Sequence, residues 1–355
     1  MSSIRGALFV ILLLVIGATL GTRSFAQLRL PHLPNVPKLP QANQVAIQLA
    51  AKRIAPYVTQ QEPIDLNWGR VYPTTVTLPG GAFRPRSGQT SLADIDAQLA
   101  RSNSGIVNLK PGDYEIPIRV YCSRVKAHSA LHAPLVYEAG PLRGSREDIL
   151  VAMLSKVTGA RLPYSQVQPL GWAIATGMRY SQLSAGQRSL FDRLAPGMRS
   201  RMSGNFIDQV RDQWNRLGIA GLPPFDSSLD KMGALGQSLK ITEQAQSEIV
   251  SQSNNFDALS ASLVPPLDVS DRGTNYTTSP WGEVAPNIYM HTPSLGGTGA
   301  LFTLQVRVTG NSGASVPVPL LTSILYPTYC PGCQPLTYNV EDNGAKEDGG
   351  GGTPG

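Results

Sequence analysis

The chain has 355 residues and a formal net charge of +6, with charged residues at only 15%. Its Lys and Arg residues are scattered, without a dense basic block or interleaved aromatics, which excludes the usual footprint of a nucleic-acid binder. The 35 glycines and 29 prolines demand much turn and irregular structure, and the length suffices for a core of one or two domains.

Residues 1–26 have the layout of a cleaved secretory signal. Met1 to Arg5 carries one positive charge, Gly6 to Leu20 is apolar, and Ser24-Phe25-Ala26 offers small residues at the positions a signal peptidase reads. The alternative is a retained anchor, but the run is shorter than the roughly 20 residues that span a bilayer comfortably. Cleavage after Ala26 removes Arg5 and Arg23, which lowers the charge of +6 by two, to +4. The expectation is a protein secreted, periplasmic or at the cell surface, with no membrane span after cleavage.

Residues 27–41 form a spacer in which Pro31, Pro34, Pro37 and Pro40 recur every third residue, the period of a polyproline II helix. Such a segment is a stiff spacer or a docking ligand. Residues 42–110 read as a helix ending at Pro56, with Val45/Leu49 and Ala46/Ala50 at helical spacing. An irregular or β segment follows, and then a short helix from Ser91 to Leu99. Residues 111–264 read as a strand-plus-helical domain. Lys110-Pro111-Gly112-Asp113 signals a turn, and YEIPIRVYC signals a strand that Pro117 places at an edge or a bulge.

The pattern turns helical from 145 to 217. Ser145 with Asp148 resembles a capping box. Leu190, Leu194 and Met198 form one stripe, and Phe206, Val210 and Trp214 another that Leu217 continues; such stripes usually mean core. A longer helical stretch covers 235–263. Residues 265–340 are β-rich, with NIYMHT, LFTLQVRVTG and VPVPLLTSILYP as strands, and 341–355 form a disordered tail. The fold class is therefore α+β: β-rich segments flank a central helical block, joined by irregular Pro/Gly-rich linkers.

Signals of chemistry are sparse. There is no G-x-S-x-G elbow, Walker loop or G-x-G-x-x-G, so no catalytic residue and no cofactor is assigned. His128 and His132 have the spacing of a helical metal pair, but no HExxH glutamate accompanies them and Pro134 follows closely, so no metal site is assigned either. Asn275-Tyr276-Thr277 fits the glycosylation pattern, which occurs often by chance. Cys330-Pro331-Gly332-Cys333 lacks the following helix that a redox pair needs; it reads as a small structural disulfide in an oxidising compartment, the alternative being half of a zinc site to which Cys122 and one of His128 and His132 would supply the rest, although nothing in the sequence places them nearby.

Cys122 ends the strand in Val120-Tyr121-Cys122, and 46 residues later Gln168-Pro169-Leu170-Gly171-Trp172 opens a helix. Over residues 115–178 this resembles the thioester domains of bacterial surface adhesins, whose hallmarks are a cysteine after a bulky residue and a glutamine four before a tryptophan. The resemblance implies that the Cys122 thiol and the Gln168 side chain join with loss of ammonia, that Trp172 packs one turn along, and that the product captures an amine. The sequence departs from the family at Gly171, where an apolar residue is usual, and at Pro169. A plainer alternative makes Ser165 and Gln168 a capping box and Trp172 a core residue. The expected function is an exported cell-envelope or extracellular non-catalytic binding or structural protein, in its sharper form an adhesin. Its implied partners are a surface ligand or other envelope proteins. The alternative class is a secreted enzyme whose site is assembled from distant residues, with His291 the one histidine on a predicted strand.

Overall fold

The computed structural model describes residues 42–64, 76–85, 90–123, 125, 138–160, 162–263, 281–293, 301–310 and 314–325. The signal, the proline spacer, His128, His132, Asn275, Cys330, Cys333 and the tail lie outside these residues. The fold is α+β: a central helical block with small antiparallel sheets before and after it. No helix among the described residues is long and apolar enough to cross a membrane.

Helix α1 (Ala42–Gln61) runs through Pro56 rather than ending there. Proline removes one N–H and crowds the carbonyl four residues back. Here both Pro56 and Lys52 are exposed, so water takes the freed group. The buried stripe of α1 is Ile47, Ala50, Ile54 and Val58; Val45 and Leu49 face outward, 55% and 43% exposed. Helix α2 (Leu92–Arg101) starts at Ser91 with a complete capping box closed by Asp94.

Strands β1 (Ile106–Leu109) and β2 (Gly112–Arg119) follow, then β3 (Glu138–Pro141). Beyond the helices lie β4 (Gly282–Ala285), β5 (Ile288–His291), β6 (Leu301–Val308), β7 (Val316–Pro319) and β8 (Thr322–Leu325). The main sheet has the order β2-β6-β5-β4, and β1 pairs with β7 and β3 with β8. Each sheet thus joins a strand that precedes the helical block to one that follows it. Pro117 sits on β2, an edge strand, opposite Thr303, as the missing N–H requires.

Alternation sorts the faces of the main sheet. Tyr114, Ile116, Leu304, Val306 and Val308 enter a core with Ile95 and Leu99 of α2. Asp113 and Arg307 lie on the opposite face. Arg307 forms a bidentate pair with Asp113, both bonds 2.6 Å, and donates to the carbonyls of Pro79, Gly81 and Ala82. This single buried arginine holds the 79–82 loop onto the sheet, and the Asp113 carboxylate raises its pKa above the ordinary guanidinium value.

The helical block comprises α3 (Glu147–Ala160), α4 (Tyr164–Ala175), α5 (Ala185–Leu194), α6 (Phe206–Asn215), α7 (Phe225–Ser228), α8 (Ala234–Ser251) and α9 (Phe256–Leu263). The stretch 235–263 is therefore two helices, broken around Gln252–Asn255. Helix α5 ends at Leu194, before Met198, because Gly197 follows Pro196 at φ +81°. Phe206, Val210 and Trp214 are buried as their spacing requires, against the apolar stripe of α1. Ser145 does not cap α3: its hydroxyl donates to the Gln61 carbonyl, while Glu147 accepts from the Gly144 N–H and Asp148 pairs with Arg201.

Candidate functional site

Helix α4 carries Gln168 into the centre of the helical core. Tyr164, Val167, Gln168, Leu170 and Trp172 are all buried on it, and Gln168 is fully enclosed. The chain enters α4 at Pro163, with no side-chain cap. The Ser165–Gln168 capping box is therefore not formed. Gln168 is the fifth residue of the helix, two positions beyond the third, from which a capping side chain reaches back to the start. Pro169 sits in the second turn, and the carbonyl it leaves unbonded belongs to Ser165, which is exposed.

The helix ends in a Schellman motif. The Met178 N–H bonds the Ala173 carbonyl and the Gly177 N–H bonds that of Ile174, each at 3.0 Å. Gly177 has φ +80°, and a Cβ there would lie 2.4 Å from Phe206 Cβ. Glycine therefore both stops α4 and lets the start of α6 approach.

Cys122 lies three residues beyond β2, 6% exposed, in the same core. Among the described residues it takes part in no disulfide. Its main chain and the Gln168 carboxamide form a two-bond clasp: the Cys122 N–H donates to Oε1 at 2.8 Å, and Nε2 donates to the Cys122 carbonyl at 2.7 Å. Tyr164, one turn before Gln168, donates its hydroxyl to the same Oε1 at 2.7 Å. The amide thus acts as a strand partner for one residue of an irregular segment, bonding both its main-chain N–H and its carbonyl.

Two consequences follow for the pair. The two bonds hold the Gln168 carboxamide against the main chain of Cys122, so the residue that carries the thiol is a direct neighbour of the carboxamide carbon. Oε1 also receives two donors, Cys122 N–H and Tyr164 O–H. That is the arrangement that stabilises negative charge developing on an oxygen when a nucleophile adds to its carbonyl carbon. Tyr164 was not singled out from sequence. Its spacing of four before Gln168 on one helix face was the available signal.

Aromatic rings wall the site. Tyr121 stacks on Tyr164 at 5.4 Å, Phe256 of α9 meets Tyr164 edge-on at 5.8 Å, and Phe256 stacks on Trp172 at 6.3 Å. Trp172 is 1% exposed, and its Nε1 has no hydrogen-bond partner among the described residues. Gly171 lies against Gln168: an added Cβ would stand 3.8 Å from Nε2 and 4.0 Å from Met153 Cε, an ordinary contact. The apolar residue usual in the resembling family would have room for its first carbon there.

His291 lies far along the chain on β5, stacked on Trp281 with centroids 4.9 Å apart. Its Nδ1 is 3.1 Å from Gln305 Oε1, and Gln305 Nε2 donates to Glu115 at 2.9 Å. No group of three or more potential metal ligands assembles among the described residues. Comparison with models of known families, with curated proteins and with solved structures gives no match.

Proposed function

We propose that this is an exported envelope or extracellular binding protein whose Cys122 and Gln168 form an internal thioester that captures an amine on a target surface. The observation that carries the reading is the pair of donors converging on Gln168 Oε1 beside Cys122. The Cys122 sulfur adds to Gln168 Cδ, and Oε1 takes up negative charge against Cys122 N–H and Tyr164 O–H. The S–C bond forms, the C–N bond breaks, and Nε2 leaves as ammonia carrying the thiol proton. Capture runs the acyl exchange the other way at the same electrophilic carbon: an amine nitrogen attacks Cδ, the C–S bond breaks, and the amine's proton goes to sulfur. The product is a substituted amide at Gln168 and a free Cys122 thiol. Enclosure among Tyr121, Tyr164 and Phe256 supports the reading, because a thioester lasts only where water is excluded.

Intact-mass measurement of the purified protein tests it. The expected chain is lighter by one ammonia, about 17 Da, and takes up methylamine at that site. Cys122→Ala should give full mass with the fold preserved. Full mass in the wild type, with no methylamine adduct, would leave Gln168 as a main-chain pin and nothing more.

A further inference from the structure

Where the end of α1 and the starts of α3 and α6 meet, an open polar cleft of about 120 Å³ is lined by Gln61, Ser145, Arg146, Arg201, Ser203 and Gln209, and by no carboxylate. Arg146 is 6% exposed, yet among the described residues its side chain donates to two neutral main-chain carbonyls: Met178 at 2.5 Å and Gly204 at 2.6 Å. A guanidinium has five N–H donors, so these bonds leave most of its capacity unused. Buried charges are normally paired with an opposite charge, and no ion pair of Arg146 occurs among the described residues. Burial and the like charge of Arg201 push its pKa down to about 10. Arg201 stands beside it, held by Asp148 at 2.9 Å but half-exposed.

The surrounding wall adds donors from separate chain segments. The Ser203 hydroxyl and the Gln209 carboxamide lie at the mouth, both exposed. The Gln209 carboxamide lies directly against Gly204, where a Cβ would come 2.2 Å from its Nε2. The Ser145 and Arg146 N–H groups are already bonded to the carbonyls of Glu62 and Pro63, so the charge of the site comes from side chains rather than from the end of α3.

We infer that this cleft binds a phosphate group, with Arg146 at its floor and Arg201 at its rim. Donors from three directions suit a tetrahedral oxyanion better than a flat carboxylate, and arginine is the side chain whose fork fits phosphate oxygens. The cavity has room for several waters, and hence for one such group. The inference is independent of the thioester, since neither Cys122 nor any residue of α4 lines the cleft.

Calorimetric titration of the full chain with inorganic phosphate, at ionic strength fixed with chloride, tests it. A parallel arm measures sedimentation with phosphatidylcholine vesicles with and without phosphatidic acid. Saturable one-to-one phosphate binding is expected, weakened about tenfold or more by Arg201→Gln, the loss of one charge-assisted contact. Arg201 is exposed, so this variant keeps the fold even if Arg146→Lys does not. Binding of free phosphate alone identifies a small solute as ligand, and Arg201-dependent binding of the phosphatidic acid vesicles identifies a lipid headgroup. No binding in either arm, or binding that Arg201→Gln leaves unchanged, overturns the inference and makes Arg146 a structural strut.

Discussion

Replacing Gln168 by alanine removes both partners of a buried main chain. The Cys122 N–H and carbonyl would each lose a hydrogen bond, and an unsatisfied buried group costs about 1–3 kcal/mol. We expect Gln168→Ala to destabilise the fold by about 3 kcal/mol or more in chemical denaturation. Cys122→Ala retains that main-chain clasp and should cost about 1 kcal/mol. Equal losses from the two variants would show that the clasp contributes nothing of its own. Tyr164→Phe keeps the ring stack on Tyr121 but deletes one of the two donors at Oε1. Removing such a donor typically slows a reaction about 10²–10³-fold. The fraction of Tyr164→Phe protein lighter by one ammonia should therefore rise far more slowly than in the wild type, as followed by mass spectrometry after synthesis.

At the scale of the element, the Schellman end of α4 positions Gln168 by stopping the helix at a defined place. Gly177→Ala puts a side chain at φ +80° and into Phe206. The left-handed backbone alone costs about 1–2 kcal/mol, and the clash adds to it, so thermal unfolding should shift clearly downward. Helix α5 supplies a pH-dependent contribution. Hydrogen bonding from Arg199 is the largest cause that holds the Asp192 carboxyl below the ordinary carboxylate range; Tyr180 also donates to it. A carboxyl depressed in the folded state stabilises it fully above its unfolded value, about pH 4, and loses that contribution as pH falls through the folded value. Asp192→Asn should therefore flatten the acid limb of the stability profile and leave its shape at neutral pH unchanged.

Across the whole molecule, Arg307 links a loop before the helical block to strands on either side of it. It meets Asp113, 194 residues away in sequence, and the Pro79 carbonyl, 228 residues away. Breaking a buried pair by removing one partner costs about 3–5 kcal/mol. Arg307→Met should thus destabilise the sheet strongly and open the 79–82 loop to proteolysis. Arg307→Met with Asp113→Leu, which leaves no unpaired charge, should recover part of the loss.

Periodicity alone determined a good deal about this protein. The i, i+4 stripe of Phe206, Val210 and Trp214, the alternation along β2 and β6, and Pro117 at an edge all follow from local rules about which side of an element is wet. The sequence also brought Cys122, Gln168 and Trp172 into view as a group. What those residues touch was decided only in three dimensions. Gln168 and Ser145 each had a local partner in the sequence, yet each side chain bonds a main chain far away, at Cys122 and Gln61. A polar group in a core bonds whatever acceptor or donor the packing leaves unpaired, and a short-range motif carries no information about that. The same holds for Arg146 and Arg307: nothing local distinguishes them from exposed arginines, because burial is set by contacts between segments that only the folded chain brings together.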